Sequence, residues 1–223
     1  MNFSESFSNK LYVPRDIEGN LNSEVFRVIE LIHESLINEP EFICADPFGS
    51  SMKGYGTSES DIDVCLYLDF KTTSTEDFIA RSTEIHDRNQ ALSEKAKKYL
   101  ESASIDIDNV HLISFYLDEA ENRDRIKQKF SNDETDAFVV GSLFRKVSGA
   151  KISTYRDSVI KQISVLPKDE QAKLIHLMAR ALADKERLSF YKIKTRVKEE
   201  LDYGKIEEDR VALWEARISS FFR

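Results

Sequence analysis

Cysteine is scarce in this chain: two in 223 residues, Cys44 and Cys65, with no Cys-x-x-Cys spacing. That excludes a disulfide framework and a cysteine-rich zinc site. No run reaches the roughly 18 uncharged apolar residues that a membrane span needs. The first ten residues, MNFSESFSNK, lack the apolar stretch of a secretory signal. The expectation is a cytoplasmic protein with no membrane association. Glycine is also sparse, seven in all, yet three fall within residues 49–60. Positive charge is outweighed, 32 Lys and Arg against 40 Asp and Glu, for a net charge of −8.

What is present suffices for a sizeable core, since 41% of residues are hydrophobic. The length fits one large domain or two small ones, at roughly 100–200 residues each. Charge divides the chain unevenly. Residues 1–149 carry 16 Lys and Arg against 28 Asp and Glu, a balance of −12, and residues 150–223 carry 16 against 12, a balance of +4.

Periodicity sets the expected elements. Residues 1–20 show no period and read as an arm. Val25, Val28, Ile29, Ile32 and Leu36 form one helical stripe over 22–38, capped by Asn22 or Ser23. Residues 42–48 read as a short strand, 49–60 as a loop and 61–69 as a strand. In that second strand Asp61, Asp63, Cys65 and Tyr67 share one face, and Ile62, Val64, Leu66 and Leu68 the other. Residues 75–101 read as a helix, 104–117 as a strand, 119–129 as a short helix and 137–145 as a strand. Beyond Gly149 four helices are expected, near 152–165, 168–187, 189–202 and 207–222. The expected class is α+β, a body over 1–149 followed by a C-terminal helical segment over 150–223.

The chemistry concentrates in residues 48–69, FGSSMKGYGTSESDIDVCLYLD. Gly49 and Ser50 follow a strand, where glycine permits positive φ and close approach of a ligand to the backbone. Backbone N–H groups with the Ser50 and Ser51 hydroxyls suit a phosphate. Asp61 and Asp63 lie on one face of the next strand, and neighbouring carboxylates repel unless a cation sits between them. Hard oxygen ligands at that spacing suit Mg²⁺ bridging to nucleotide phosphates. Lys53 is a candidate to neutralise phosphate charge.

This run resembles the signature of the DNA polymerase beta-type nucleotidyltransferase superfamily: Gly-Ser, a loop of about ten residues, then Asp-hydrophobic-Asp. Phe48-Gly-Ser-Ser, Gly54-x-Gly56, Ser60-Asp-Ile-Asp and Cys65-Leu66 are similar to poly(A) and terminal uridylyl polymerases. Gly49, Ser50, Lys53, Gly54, Ser60, Asp61 and Asp63 also fall where minimal bacterial nucleotidyltransferases place theirs. The resemblance implies a palm-like mixed sheet and two-metal transfer of a nucleoside monophosphate from an NTP to an acceptor hydroxyl, with release of pyrophosphate. It implies Mg²⁺, with Mn²⁺ as the substitute, and no DNA template. It further implies a third carboxylate on a neighbouring strand, for which Asp106 and Asp108 are the two candidates. The acceptor stays open between a small molecule, a protein and an RNA 3′ end. A non-catalytic NTP-binding module, regulatory or of antitoxin type, is the alternative.

Elsewhere the signals are weaker. Tyr55 is a candidate to stack on a base, and Arg145, Lys146 and Lys151 to approach phosphate. Lys192, Lys194, Arg196 and Lys198 form a basic run beside Phe190 and Tyr191, which reads as a solvated helix face or as an RNA-backbone contact. His33 and His176 sit in helical stripes and read as core or boundary residues, and Trp214 as core packing.

Overall fold

A computed structural model describes residues 22–50, 52–53, 55–57, 60–130, 134–145, 150–186, 190–197 and 200–223. The expected N-terminal arm therefore lies outside the described residues. The described elements run in order α1 (Ser23–Leu36), β1 (Phe42–Phe48), β2 (Ile62–Leu68), α2 (Thr75–Ala80), α3 (Ser82–Ser102), a 3₁₀ turn (Ile107–Asn109) and β3 (Val110–Tyr116). There follow α4 (Glu119–Lys127), α5 (Glu134–Ser142), α6 (Ala150–Ser164), α7 (Lys168–Lys185), α8 (Phe190–Arg196), α9 (Tyr203–Ser219) and a closing 3₁₀ turn (Ser220–Phe222). The class is α+β, with a palm-like mixed sheet.

The sheet order is β1-β2-β3. β1 runs antiparallel to β2 with Phe48 opposite Asp63, and β2 runs parallel to β3 with Asp63 opposite His111. A parallel pair needs a long crossover, which α2 and α3 supply. Pro47 is tolerated within β1 because that strand is an edge of the sheet.

Period-two alternation gives each sheet face its own core. Ile62, Val64, Leu66 and Leu68 pack with Val28 and Ile32 of α1 and Leu92 and Ala96 of α3. Cys65 and Tyr67 face the other way, into a core shared with Val140, Val159, Met178 and Trp214 of the later helices. The C-terminal helices thus cover the sheet face that also carries Asp63. The two acids stand at the start of β2, where that cover thins: Asp61 keeps 48% of its side-chain exposure and Asp63 25%.

Three expectations change. Residues 104–109 are not strand. Ser104 has φ +61°, and Asp106 accepts a hydrogen bond from the Asp108 N–H (3.2 Å), a local turn that competes with ladder pairing. Residues 137–145 belong instead to helix α5 and the turn after it. A short, wholly apolar run does not distinguish a buried strand from a buried helix. Here Gly141 lets α5 approach α7, since an added Cβ would stand 3.2 Å from that of Met178. The stretch 75–101 is two helices, broken at Arg81.

Candidate active site

The loop after β1 turns at Gly49, whose φ is +81°. Lys53 N–H donates to the Gly49 and Ser50 carbonyls (3.3 and 3.2 Å), and Tyr55 N–H to the Ser50 carbonyl (3.3 Å). These bonds fold the chain back over the start of β2. Ser50 is buried. Ser51 and Gly54 lie outside the described residues. Gly49 sits directly against Asp63, and a Cβ there would be 1.9 Å from Asp63 Oδ2. Only glycine fits both the backbone angle and the space.

Asp61 and Asp63 converge on one point. His111 Nδ1 lies 3.7 Å from Asp61 Oδ2 and 3.6 Å from Asp63 Oδ1. His111 reaches them because its strand runs parallel to β2 in direct register. Asp63 is held above the ordinary carboxylate range, chiefly by burial, with the charge of Asp61 adding to the effect and His111 and Lys192 opposing it. The charged form is therefore strained, and a cation between the two acids would relieve it.

Beside the acids is a cavity of about 240 Å³. Gly49, Cys65, Ile113 and Phe115 form the sheet side, and Phe138 of α5 and Leu182 of α7 the helix side. Lys53, Arg145 and Lys185 bring positive charge, and Glu186 negative charge, to an otherwise largely apolar wall. Burial pulls the Lys53 amine below its ordinary range, against the pull of Glu186 and Asp63 in the other direction. An apolar pocket with cations beside two carboxylates suits a ligand that is part ring and part phosphate.

Other sequence candidates take different places. Tyr55 is not free to stack on a base. It is buried in a small cluster with Ile193 and Ile206. Arg145 forms a buried ion pair with Asp46 (3.1 Å) and donates to the Pro47 carbonyl (3.2 Å), so it braces β1 while lining the cavity. Lys151 donates to the Phe42 carbonyl (2.8 Å). Lys146 and Lys198 lie outside the described residues. Asp106 and Asp108 are exposed; Asp106 caps the 3₁₀ turn before β3 and Asp108 lies within it, and Asp106 also accepts from the Asn109 side chain (2.8 Å). Among the described residues no hydrogen bond or ion pair joins either to Asp61, Asp63 or His111. His176 is exposed and paired with Glu215 (2.5 Å), against the expectation of a core or boundary place. His33 does take such a place, accepting from the Ala45 N–H (3.2 Å), and Trp214 is buried core.

The basic run does more than solvate a face. Lys192 is exposed, yet its charge is felt at both Asp63 and Lys53. Arg196 turns inward to the loop before β2. Sequence reasoning also missed His111 and Glu186. His111 depends on parallel register, and Glu186 on its link to α9, where Arg210 (2.7 Å) and the Trp214 indole (2.8 Å) donate to it. Neither relationship leaves a spacing signal in the chain.

Does this set of residues fit a divalent ion? Among the described residues no three His, Cys, Asp or Glu side chains form a ready metal cluster. Mg²⁺ does not require one. It is commonly bound by one or two carboxylates, with water and substrate phosphate oxygens completing the shell. Two converging, mutually repelling carboxylates beside the turn at Gly49 fit that mode.

Residues 7–117 match the family described as poly(A) RNA polymerase, mitochondrial-like, central palm domain. The match is consistent with the DNA polymerase beta-type nucleotidyltransferase superfamily. It spans Gly49, both acids and β3. No curated protein and no solved structure matches the chain.

Proposed function

We propose that this protein is a metal-dependent nucleotidyltransferase that moves a nucleoside monophosphate from an NTP to an acceptor hydroxyl and releases pyrophosphate. The observation that carries the reading is the convergence of Asp61 and Asp63 beside Gly49, within a segment that matches a polymerase palm family. Asp61 and Asp63 would hold Mg²⁺ or Mn²⁺. When bound, such an ion neutralises charge on the transferring phosphoryl group. The backbone at 49–50, with the Ser50 and Ser51 hydroxyls, receives the outer phosphates, and Lys53 and Lys192 offset their charge. The cavity beneath Ile113 and Phe115 takes the apolar part of the nucleotide. Catalysis comes mainly from holding the reactants in line and neutralising charge. The family name favours ATP as donor and an RNA 3′ end as acceptor, ahead of a small molecule or a protein side chain.

One observation favours a second reading. The β3 position beside Asp63 holds His111 where a third carboxylate is expected, as in a module that binds NTP without turning it over. One experiment separates the two. Each NTP, labelled on the α-phosphate, is incubated with the protein, Mg²⁺ or Mn²⁺ and an RNA oligomer, cell metabolites or cell proteins. Asp63→Ala and a chelator run alongside. Label on an acceptor, lost with Asp63→Ala and with chelation, is expected. NTP binding without transfer under every condition would leave the non-catalytic module.

A further inference from the structure

Arg196 of α8 lies more than 130 residues from the acid pair in sequence, yet it grips the loop that leads into it. Arg196 Nη1 donates to the Tyr55 carbonyl (3.2 Å) and to Ser60 Oγ (3.2 Å). Ser60 Oγ also accepts from the Thr57 N–H (2.9 Å), and Ser60 N–H donates to the Thr57 carbonyl (3.0 Å). Thr57 and Ser60 are therefore tied to each other, and the Ser60 hydroxyl to the guanidinium. One turn back along α8, Ile193 is buried against Tyr55. One further residue back, Lys192 acts electrostatically on Asp63. Three residues of a seven-residue helix thus act on the loop or on the acid it delivers.

Asp61 needs outside support. It directly follows Ser60 and precedes the first residue of β2, Ile62, so the described ladder does not fix it. Half of its side chain is exposed, and it faces a second negative charge. Repulsion favours any loop conformation that moves the two carboxylates apart.

We propose that Arg196 is a positioning residue, and that its clamp on Tyr55 and Ser60 holds Asp61 beside Asp63. The clamp makes the catalytic geometry depend on the C-terminal helical segment. This inference rests on the nucleotidyltransferase reading for its consequence in catalysis, but not for the clamp itself. The planar guanidinium matters because one nitrogen directs two protons at two fixed acceptors. A lysine reaches less far and restores the clamp only in part.

The test pairs amide hydrogen exchange with transfer kinetics on the full chain. In Arg196→Ala, which removes two charged hydrogen bonds, exchange at residues 60–63 is expected to rise by roughly tenfold or more. Exchange in α3 should stay unchanged, and Arg196→Lys should recover part of the protection. Where transfer is measured, kcat should fall roughly tenfold with the KM for NTP little changed, as for a lost interaction that matters in the transition state. Ser60→Ala combined with Arg196→Ala should cost less than the two single changes added together. Unchanged exchange at 60–63 in Arg196→Ala would overturn the proposal, as would a loss of protection spread evenly over the protein. Exchange that responds in a protein without transfer upholds the clamp and removes the nucleotidyltransferase reading. Transfer that depends on Asp63 but ignores Arg196 does the reverse.

Discussion

Gly49 and Asp63 are fitted to each other so closely that no side chain can come between them. The Asp63 carboxylate occupies the space a Cβ on Gly49 would need, with Oδ2 1.9 Å from that position. The φ of +81° at Gly49 adds a second bar to substitution. Gly49→Ala is therefore expected to displace Asp63 and strain the turn together. A left-handed alanine alone costs about 1–2 kcal/mol, which corresponds to a melting-temperature fall of roughly 2–8 °C in a chain of this size. Transfer should fall much further than folded fraction does. Thermal melts beside labelled-NTP transfer measure both; equal transfer in the variant and the wild type would refute the fit.

The register of β2 and β3 gives a prediction about the third acid. His111 stands opposite Asp63, whereas Asp106 and Asp108 belong to the turn before β3. Asp106→Asn and Asp108→Asn are expected to retain most transfer activity. His111→Asp places a carboxylate beside the pair and should tighten Mn²⁺ binding, measured by titration calorimetry. A hundredfold loss of transfer in either asparagine variant would return the role of third ligand to that residue.

Asp46 gives the fold a pH dependence. Burial outweighs the attraction of Arg145, and the carboxyl is pushed up to about 6 from an ordinary 3.8. A group that binds its proton more readily when folded contributes stability at low pH. That contribution is complete below about 3.8 and is lost as pH rises through about 6. Stability of wild type relative to Asp46→Asn should accordingly decline between pH 4 and pH 7. Thermal melts of both proteins across that range decide it, and a rising difference would show the sign to be wrong.

Glu186 ties the end of α7 to α9. It is buried, pairs with buried Arg210 (2.6 Å) and accepts from the Trp214 indole. Glu186→Gln keeps an acceptor for the indole but removes the negative charge that faces Arg210. Breaking one side of a buried pair costs about 3–5 kcal/mol, or roughly 10 °C in melting temperature at this size. Differential scanning calorimetry checks this. A shift under about 2 °C would mean that water already screens the pair.

Much of the fold was legible in local pattern. The stripe of Val25, Val28, Ile29, Ile32 and Leu36 is indeed the buried face of α1. The alternation in residues 62–68 separated the two sheet faces correctly, because strand side chains alternate whatever they pack against. Residues 137–145 were misread because all nine are buried, so that run has no solvent-facing side to mark a period. Asp106 was placed on a strand because its apolar neighbours mimic one, while its own side chain closes a turn.

The sequence by itself determined the chemistry of the site: a glycine that only a tight turn requires, a serine beside it, and two carboxylates on one strand face. These depend on neighbours close in the chain, so composition and period two are enough to reveal them. The tertiary structure alone decided what surrounds them. Parallel pairing brought His111 to the acids, and the packing of α8 brought Arg196 to the loop and Lys192 within electrostatic reach of Asp63. Such contacts join residues about 50 to 140 positions apart. They follow from how separate elements bury their apolar faces together, which no local spacing encodes.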